Sequence, residues 1–155
     1  MAVRMELSRI LIRELNDYQI IELREARNGS GGAVAPGAGT DEGAEDSDAR
    51  SFPIVIGLPE AQAIERRIKG IQIKRPQTHD LLASVIEAMG GTLQSITITD
   101  LSDHTFFATL DVKKPGGEVI HIDSRPSDAI ALGVAGDVPI YVEEHVLEAA
   151  MSDES

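Results

Sequence analysis

The 155-residue chain predicts an α+β fold: a mixed, largely antiparallel sheet with about four helices packed on it. Strand patterns occur in runs instead of alternating regularly with helices. Three of them, Thr92–Asp100, Thr105–Lys113 and Glu118–Asp123, are joined by links short enough for hairpins, which predicts an antiparallel meander. Because 42% of the residues are hydrophobic, one domain with its own core is expected over residues 1–151.

The chain begins with a predicted hairpin. Val3–Leu15 alternates apolar and polar residues, but the alternation changes phase near Ser8 and Arg9, which indicates a β-bulge. A turn signal follows, and Tyr18–Ala26 is the returning strand. Phe52–Gly57 is a short apolar run that we expect to be a central strand.

Four helices are predicted after this hairpin. Leu58–Lys69 carries a proline in its first turn. Thr78 is expected to cap the next helix, which ends at a glycine pair. Ser124–Ala135 and Glu143–Met151 are the last two, with a brief strand, Val138–Val142, between them. The second helix is the best-specified in the chain and has a strong apolar stripe, formed by Leu81, Leu82, Val85, Ile86 and Met89.

The acidity of the chain, formally −12, is concentrated in two segments. Residues 28–51 contain five acidic residues and one arginine, and residues 143–155 contain five acidic residues and no lysine or arginine. Residues 28–50 are rich in glycine and alanine and predict a mobile insertion, which is either a regulatory or substrate-facing flap or an insertion without a function. Residues 152–155 predict a frayed tail. A general nucleic-acid binder gains affinity by neutralising phosphates, so the net charge argues against that class.

Composition and motifs exclude several other classes. The absence of cysteine removes disulfides, thiolate zinc sites and cysteine nucleophiles, and it fits a cytoplasmic protein. There is no apolar run of about 18 residues, so no membrane association is expected. There is no phosphate-binding loop, dinucleotide fingerprint or nucleophile elbow, so neither a nucleotide nor a redox cofactor is expected.

Four aspartates lie at the ends of predicted elements or in a helical first turn: Asp80, Asp100, Asp123 and Asp128. Carboxylates of this kind hold Mg²⁺ or Mn²⁺ in metal-dependent phosphodiester cleavage, so all four are candidate metal ligands. The alternative is that they are ordinary caps and turn formers.

The candidate catalytic residues are Asp123, Arg125, Asp128 and His79. Arg125 lies where a strand passes into a helix, and there it can bind a phosphate or close an internal ion pair. His79 begins a helix and is a candidate base, ligand or phosphate contact. His121 shares a strand face with Asp123, whereas His104 and His145 carry no usable signal.

Five positive charges fall within ten residues that contain no acid. They are Arg66, Arg67, Lys69, Lys74 and Arg75. The cluster is a candidate nucleic-acid-binding track, and the alternative is a solvated helix end whose cations suit the helix dipole.

Four segments carry a family resemblance. SRPSDAIALG at 124–133, RPQTHDLL at 75–82, ITDLSDHTFFATL at 98–110 and FPIVIGLPEAQAI at 52–64 together resemble the bifunctional nuclease family of plants and bacteria. The resemblance covers most of the chain from Phe52 to Ala149. It implies a small α+β domain with RNase and DNase activity.

The sequence is therefore consistent with two main function classes and with a third that has less support. The first is a nuclease that hydrolyses RNA or DNA with a divalent metal. The second is a non-catalytic, homo-oligomeric interaction or regulatory module, a dimer in the simplest case. The third is a small-anion binding protein that uses Arg125 and the adjacent helix start.

Overall fold

The computed structural model of the chain describes residues 1–13, 15, 17–26 and 48–152. The predicted insertion at 28–50 falls almost entirely outside the described residues, as does most of the predicted tail at 152–155. Neither prediction is tested.

Within the described residues, seven strands form one sheet, in the order β3-β2-β1-β7-β4-β5-β6. They are β1 (Ala2–Leu11), β2 (Gln19–Glu25), β3 (Ser51–Ile56), β4 (Thr92–Ser102), β5 (Thr105–Lys113), β6 (Val119–Ser124) and β7 (Ile140–Glu143). β1, β2 and β3 form one antiparallel meander, and β4, β5 and β6 form a second. β7 joins the two, antiparallel to β1 and parallel to β4. The predicted mixed, largely antiparallel sheet is confirmed.

Two details of the first meander bear on the sequence predictions. The pairing of β1 with β2 shifts register between Leu7 and Arg9, so the bulge is confirmed. β3 is an edge strand, so the prediction that Phe52–Gly57 is central was wrong. Ile54 and Ile56 face the core, but Val55 between them is 61% exposed, so only one face of β3 is covered. Pro53, which lacks a backbone donor, is also suited to an edge strand.

Four α-helices follow the first meander: α1 (Leu58–Lys69), α2 (Thr78–Ala88), α3 (Pro126–Gly133) and α4 (Glu144–Ser152). The main core joins one face of the sheet to α1, α3 and α4, through side chains such as Ile64, Ile130 and Leu147. A smaller cluster lies where α2 and α3 meet β4 and β5. Together with the sheet, the four helices confirm the predicted α+β class.

The apolar stripe of α2 faces solvent, whereas the apolar stripe of an amphipathic helix usually faces the core. No residue of α2 is buried, and Leu81, Leu82, Val85 and Met89 are exposed. Within the stripe, only Ile86 packs against the smaller cluster. The helix also begins one residue earlier than predicted, since Gln77 and not Thr78 is the N-cap.

Gly133 sets how closely α3 approaches the sheet. A β-carbon built at this glycine lies 2.7 Å from Cδ1 of Ile96 and 3.1 Å from Cβ of Val138. Ile96 is fully buried, so it has little room to retreat. The position of α3, and of the side chains at its start, therefore depends on residue 133 being a glycine, which has no side chain.

We expect Gly133→Ala to lower the free energy of unfolding by about 1–3 kcal/mol, because the added methyl group overpacks the core. Urea denaturation measures the change. Gly116→Ala is the matched control, since a β-carbon there meets nothing within 4 Å. Equal stability of the two variants contradicts the tight approach.

Candidate functional site

The passage from β6 into α3 forms a corner with an exposed end. Arg125 is the N-cap of α3 in an extended conformation, and Pro126 occupies the first helical position. Proline suits this position because it has no N–H group to leave unpaired. Pro126 and Ser127 are buried, whereas the Arg125 side chain is 64% exposed. No side chain caps the first turn of α3.

Arg125 belongs to a chain of alternating charges. Its Nε and Nη2 atoms donate to the carboxylate of Asp128 at 2.9 and 3.2 Å, and Nη2 lies 3.5 Å from a carboxylate oxygen of Glu60. On the other side, Nε2 of His79 lies 2.9 Å from Oδ1 of Asp128. Since an ionised carboxylate can only accept, this nitrogen carries the proton. The chain links the first turns of α1, α3 and α2.

These contacts keep Asp128 ionised. Burial raises the pKa of Asp128, but hydrogen bonds from Arg125 and His79 outweigh burial, so the pKa lies below its usual value. The hydrogen bond to Asp128 raises the pKa of Arg125. The guanidinium is therefore held in place by a permanent countercharge, with much of its surface still open to solvent.

A cleft of about 710 Å³ lies beside Arg125. The end of β3, the turn between β4 and β5, and the first turns of α1 and α3 form its walls. Its polar lining includes Tyr18, Glu60, His104, Arg125 and Ser127. The apolar part of the lining comes mainly from β3 and from Phe106.

Two helix N-termini meet at this cleft. α1 begins after Gly57 and α3 after Arg125, and no side chain caps either start. The first N–H groups of a helix have no partner within the helix, and the dipole makes this end positive. Glu60 and Asp17, which also line the cleft, offset part of that potential, but Arg125 adds a full positive charge. The cleft therefore suits an anion that carries several acceptor oxygens, such as a phosphodiester.

His104 reaches the cleft from an unusual backbone conformation. Asp103 and His104 have φ values of 57° and 63°, and they form the two-residue link between β4 and β5. Two consecutive positive φ angles are typical of tight hairpin turns, where glycine or asparagine is more common. Sequence analysis found no signal in His104, because the turn's position beside Arg125 depends on the packed fold.

The structure brings only part of the predicted site together. His79, Arg125 and Asp128 form one network, as described above. Asp123 pairs with Thr109 on the sheet face opposite the helices. Asp100 lies 3.8 Å from His145 and accepts a hydrogen bond from the Leu101 amide.

The carboxylate of Asp80, the fourth predicted metal ligand, is bound by arginine side chains. It forms ion pairs with Arg66 and Arg67 and accepts a hydrogen bond from the Gln77 amide. Across residues 1–13, 15, 17–26 and 48–152, no group of three or more His, Asp or Glu side chains could hold a metal ion. The carboxylates and histidines of these described ranges therefore do not form a complete metal site, and the assignment of Asp80, Asp100, Asp123 and Asp128 as ligands stays a prediction.

The predicted basic track is divided between internal and exposed positions. Arg67 donates to the carbonyls of Ala131 and Leu132 at the end of α3 as well as to Asp80, and its side chain is only 9% exposed. Arg66 shares Asp80, and Lys69 pairs with Glu65. The exposed members that lie outside these pairs are Lys74 and Arg75. Nucleic-acid binding by the five residues stays a prediction.

A second polar network, centred on Asp111, was missed by the sequence analysis. Asp111 is buried on the sheet face away from the helices, and its carboxylate accepts from Thr97, Thr109, Ser95 and Nδ1 of His121 at 2.7 to 2.9 Å. The available signal was a single aspartate inside the apolar run of β5. Its partners come from three strands, so they could be identified only after the strand register was known.

The fold and the cleft can now be set beside known proteins. A family model described as the bifunctional nuclease domain matches residues 44–155. The chain belongs to the bifunctional nuclease domain family. The four motifs quoted from the sequence lie within the matched residues, so the resemblance noted in the sequence is confirmed.

Relatives in this family have been named in plants and bacteria. An uncharacterised protein of Mycobacterium tuberculosis is 43% identical over 101 residues, which cover 65% of this chain and 59% of that protein. Bifunctional nuclease 1 of Arabidopsis thaliana is 27% identical over 104 residues, 66% of this chain and 32% of the plant protein. Bifunctional nuclease 2 of Oryza sativa subsp. japonica is 30% identical over 100 residues, 63% of this chain and 31% of that protein.

The chain thus spans less than two thirds of the length of these relatives. The family membership supports nuclease-like activity at the level of the domain. None of the helices in the described part of the chain is long and apolar enough to cross a membrane.

We expect Asp111→Asn to lower the free energy of unfolding by about 1–3 kcal/mol at neutral pH, because four donors lose their charged acceptor. Asp123→Asn, on an exposed position of the same sheet face, should change stability by less than about 0.5 kcal/mol. Thermal and urea unfolding measure both. Equal losses in the two variants contradict a structural role specific to Asp111.

The stabilisation from Asp111 should also disappear in acid. Burial raises the pKa of Asp111, but the hydrogen bonds from His121 and the three hydroxyls outweigh it, so the folded-state pKa lies below the ordinary value of 3.8. The unfolded chain therefore binds more protons in this range, and stability falls as the pH drops below 3.8 and through the lower folded-state pKa. Urea unfolding across this range should show the stability difference between wild type and Asp111→Asn shrinking as the pH falls. A difference independent of pH contradicts this assignment.

Proposed function

We propose that this protein hydrolyses phosphodiester bonds in RNA or DNA, and that the substrate backbone binds in the cleft beside Arg125. The observation that carries the proposal is the convergence of Arg125 and two uncapped helix N-termini on one cleft. The family's plant relatives are named bifunctional nucleases, which supports the same activity class.

Arg125 is proposed to bind the non-bridging oxygens of the scissile phosphate. Asp128 occupies Nε and shares Nη2, which fixes the plane of the guanidinium and leaves Nη1 and the exposed edge for the substrate. The weak contact with Glu60, at 3.5 Å, gives way when an anion enters. The developing negative charge on phosphorus-bound oxygen is then stabilised by donors that are already oriented.

His104 is proposed as the group that transfers a proton during hydrolysis. Water attacks phosphorus and gives up a proton to the His104 imidazole, the bond from phosphorus to the leaving oxygen breaks, and the imidazolium gives the proton to that oxygen. Histidine is the side chain most often used for such transfer, and the imidazole of His104 lines the same cleft as Arg125. His79 is given a different role from the one expected from the sequence: it orients Asp128 and is a positioning residue.

Divalent metal, a homo-oligomeric state and a cytoplasmic location belong to the proposal as well. Mg²⁺ is commonly held by one or two carboxylates together with substrate phosphates, so a metal requirement does not need a complete protein site. No catalytic step is assigned to a metal, because the described carboxylates do not form such a site. The lack of cysteine supports a reducing compartment.

The first test is cleavage of labelled single-stranded RNA and duplex DNA by the purified chain. We expect Arg125→Ala to slow cleavage by about 100-fold or more, as for the loss of one oriented donor at a reacting oxyanion. Arg9→Ala is the matched control: its side chain is 62% exposed and also pairs with a carboxylate, but Arg9 lies on β1 and does not line the cleft. Loss of activity in both variants, or in neither, contradicts the assignment of Arg125.

The second test concerns the metal. Cleavage is measured with Mg²⁺, with Mn²⁺ and with excess chelator, each with substrate present. We expect loss of activity with chelator and its recovery when metal is restored. Unchanged activity in chelator removes the metal from the proposal but leaves the cleft assignment in place.

The alternative, a non-catalytic interaction module, is decided by the same assay. If the wild-type chain cleaves neither substrate under any of these metal conditions, the hydrolytic proposal is overturned. The interaction module then becomes the better explanation of the domain.

A further inference from the structure

Helix α2 presents an apolar surface to solvent. Leu81, Leu82, Val85 and Met89 are 55%, 37%, 43% and 75% exposed. The helix touches the rest of the molecule mainly through α3 and β4, and its inward side chains, such as Ile86, are only partly buried. Contiguous exposed apolar surface of this kind marks an interaction site in soluble proteins.

The spacing of these side chains fits another helix. Leu82, Val85 and Met89 are separated by three and four residues, so they lie along one line on the surface of α2, with Leu81 beside it. This is the pattern by which a helix packs against a neighbouring helix. The surface is a helical stripe, not a pocket, and no cavity for a small ligand is needed to explain it.

The charges at the two ends of α2 indicate which helix completes the contact. Lys74 and Arg75 precede α2 and are exposed. At the other end, the last turn contains Glu87 and no basic residue, so the negative end of the helix dipole has no cationic neighbour within the helix. A partner helix therefore needs an apolar stripe with positive charge opposite the end of α2 and negative charge opposite its start.

A second copy of α2 meets each of these requirements when it runs antiparallel. In that arrangement Lys74 and Arg75 of one copy lie toward Glu87 and the last turn of the other, and the same contact repeats on the opposite side. A parallel arrangement places like charges together. Twofold symmetry of this kind is the commonest basis of homodimers.

We propose that α2 is a self-association interface, and that two copies of the chain form a dimer through antiparallel packing of their α2 stripes. The competing occupant within the chain is the segment 27–47, which lies outside the described residues. Its only larger aliphatic residue is Val34 and it is otherwise mainly small and acidic, so it offers little to match four apolar side chains. The interface does not depend on the proposed nuclease activity.

The test is the molar mass of the full chain in solution, measured by light scattering and sedimentation from about 1 to 100 μM, the range in which a dimer with a micromolar dissociation constant is populated. Wild type is expected to be a dimer at the upper end of this range. Leu82→Glu combined with Val85→Glu should be monomeric, with circular dichroism and a melting curve showing that the fold is retained. Val55→Glu is the control, because Val55 is also exposed but lies on the edge strand β3.

A second measurement tests the antiparallel orientation. Each substitution changes both symmetry-related ion pairs of the dimer, so Arg75→Glu and Glu87→Lys should each weaken dimerisation by up to about 25-fold, about fivefold for each exposed pair, and the double charge reversal should restore it. Lysine near the end of a helix favours the helix, so weakening by Glu87→Lys is not a folding defect.

Three results overturn the proposal. They are a monomeric wild type at the highest concentration, a dimer that survives both glutamates on α2, and a dimer that is lost with Val55→Glu. Failure of the charge reversal to restore the dimer overturns the antiparallel orientation. Nuclease activity of the monomeric variant separates this result from the proposed function, because the cleft residues are unchanged.

Discussion

The carboxylate of Asp128 joins parts of the molecule that are far apart in the sequence. It accepts hydrogen bonds from Arg125, at the start of α3, and from His79, at the start of α2. The guanidinium of Arg125 also contacts the carboxylate of Glu60 in α1. Three helix starts are held together in this way. The cleft keeps its shape because these starts are fixed to one another, and Arg125 keeps its orientation because its countercharge remains ionised. The proposed catalytic assignment depends on this one shared acceptor.

The fold could be read from the sequence wherever the deciding interactions are local. The second meander depends on alternation and on short links, and the bulge near Ser8 depends on a change of phase; the sequence shows each of these directly. The position of β3 at the edge and the outward face of α2 could not be read in the same way. Apolar periodicity indicates that one face of an element is stabilised by burial. It does not indicate whether the sheet, another helix or a second molecule buries that face.

The candidate site was predicted in part, for a related reason. Arg125, Asp128 and His79 lie in segments whose ends are marked by proline and capping residues, so their place at helix starts was visible. The contacts of each carboxylate depend on how elements that are distant in the sequence pack together. The sequence does not show this packing. Asp80 is bound by Arg66 and Arg67 from the preceding helix. The sequence spacing of Arg66 and Arg67 predicts a nucleic-acid-binding track, but it does not show this ion pairing.

The position of β7 has a consequence for how the chain reaches its final form. This four-residue strand lies between β1 and β4, and among the described residues it alone pairs with both meanders. Until it is in place, each half of the sheet has an open inner edge, and such edges pair readily with other chains. Contacts of such long sequence separation close slowly. Because β7 follows both meanders in the chain, both inner edges stay unpaired until residues 140–143 are synthesised, and aggregation during expression should be most severe in chains truncated before residue 140.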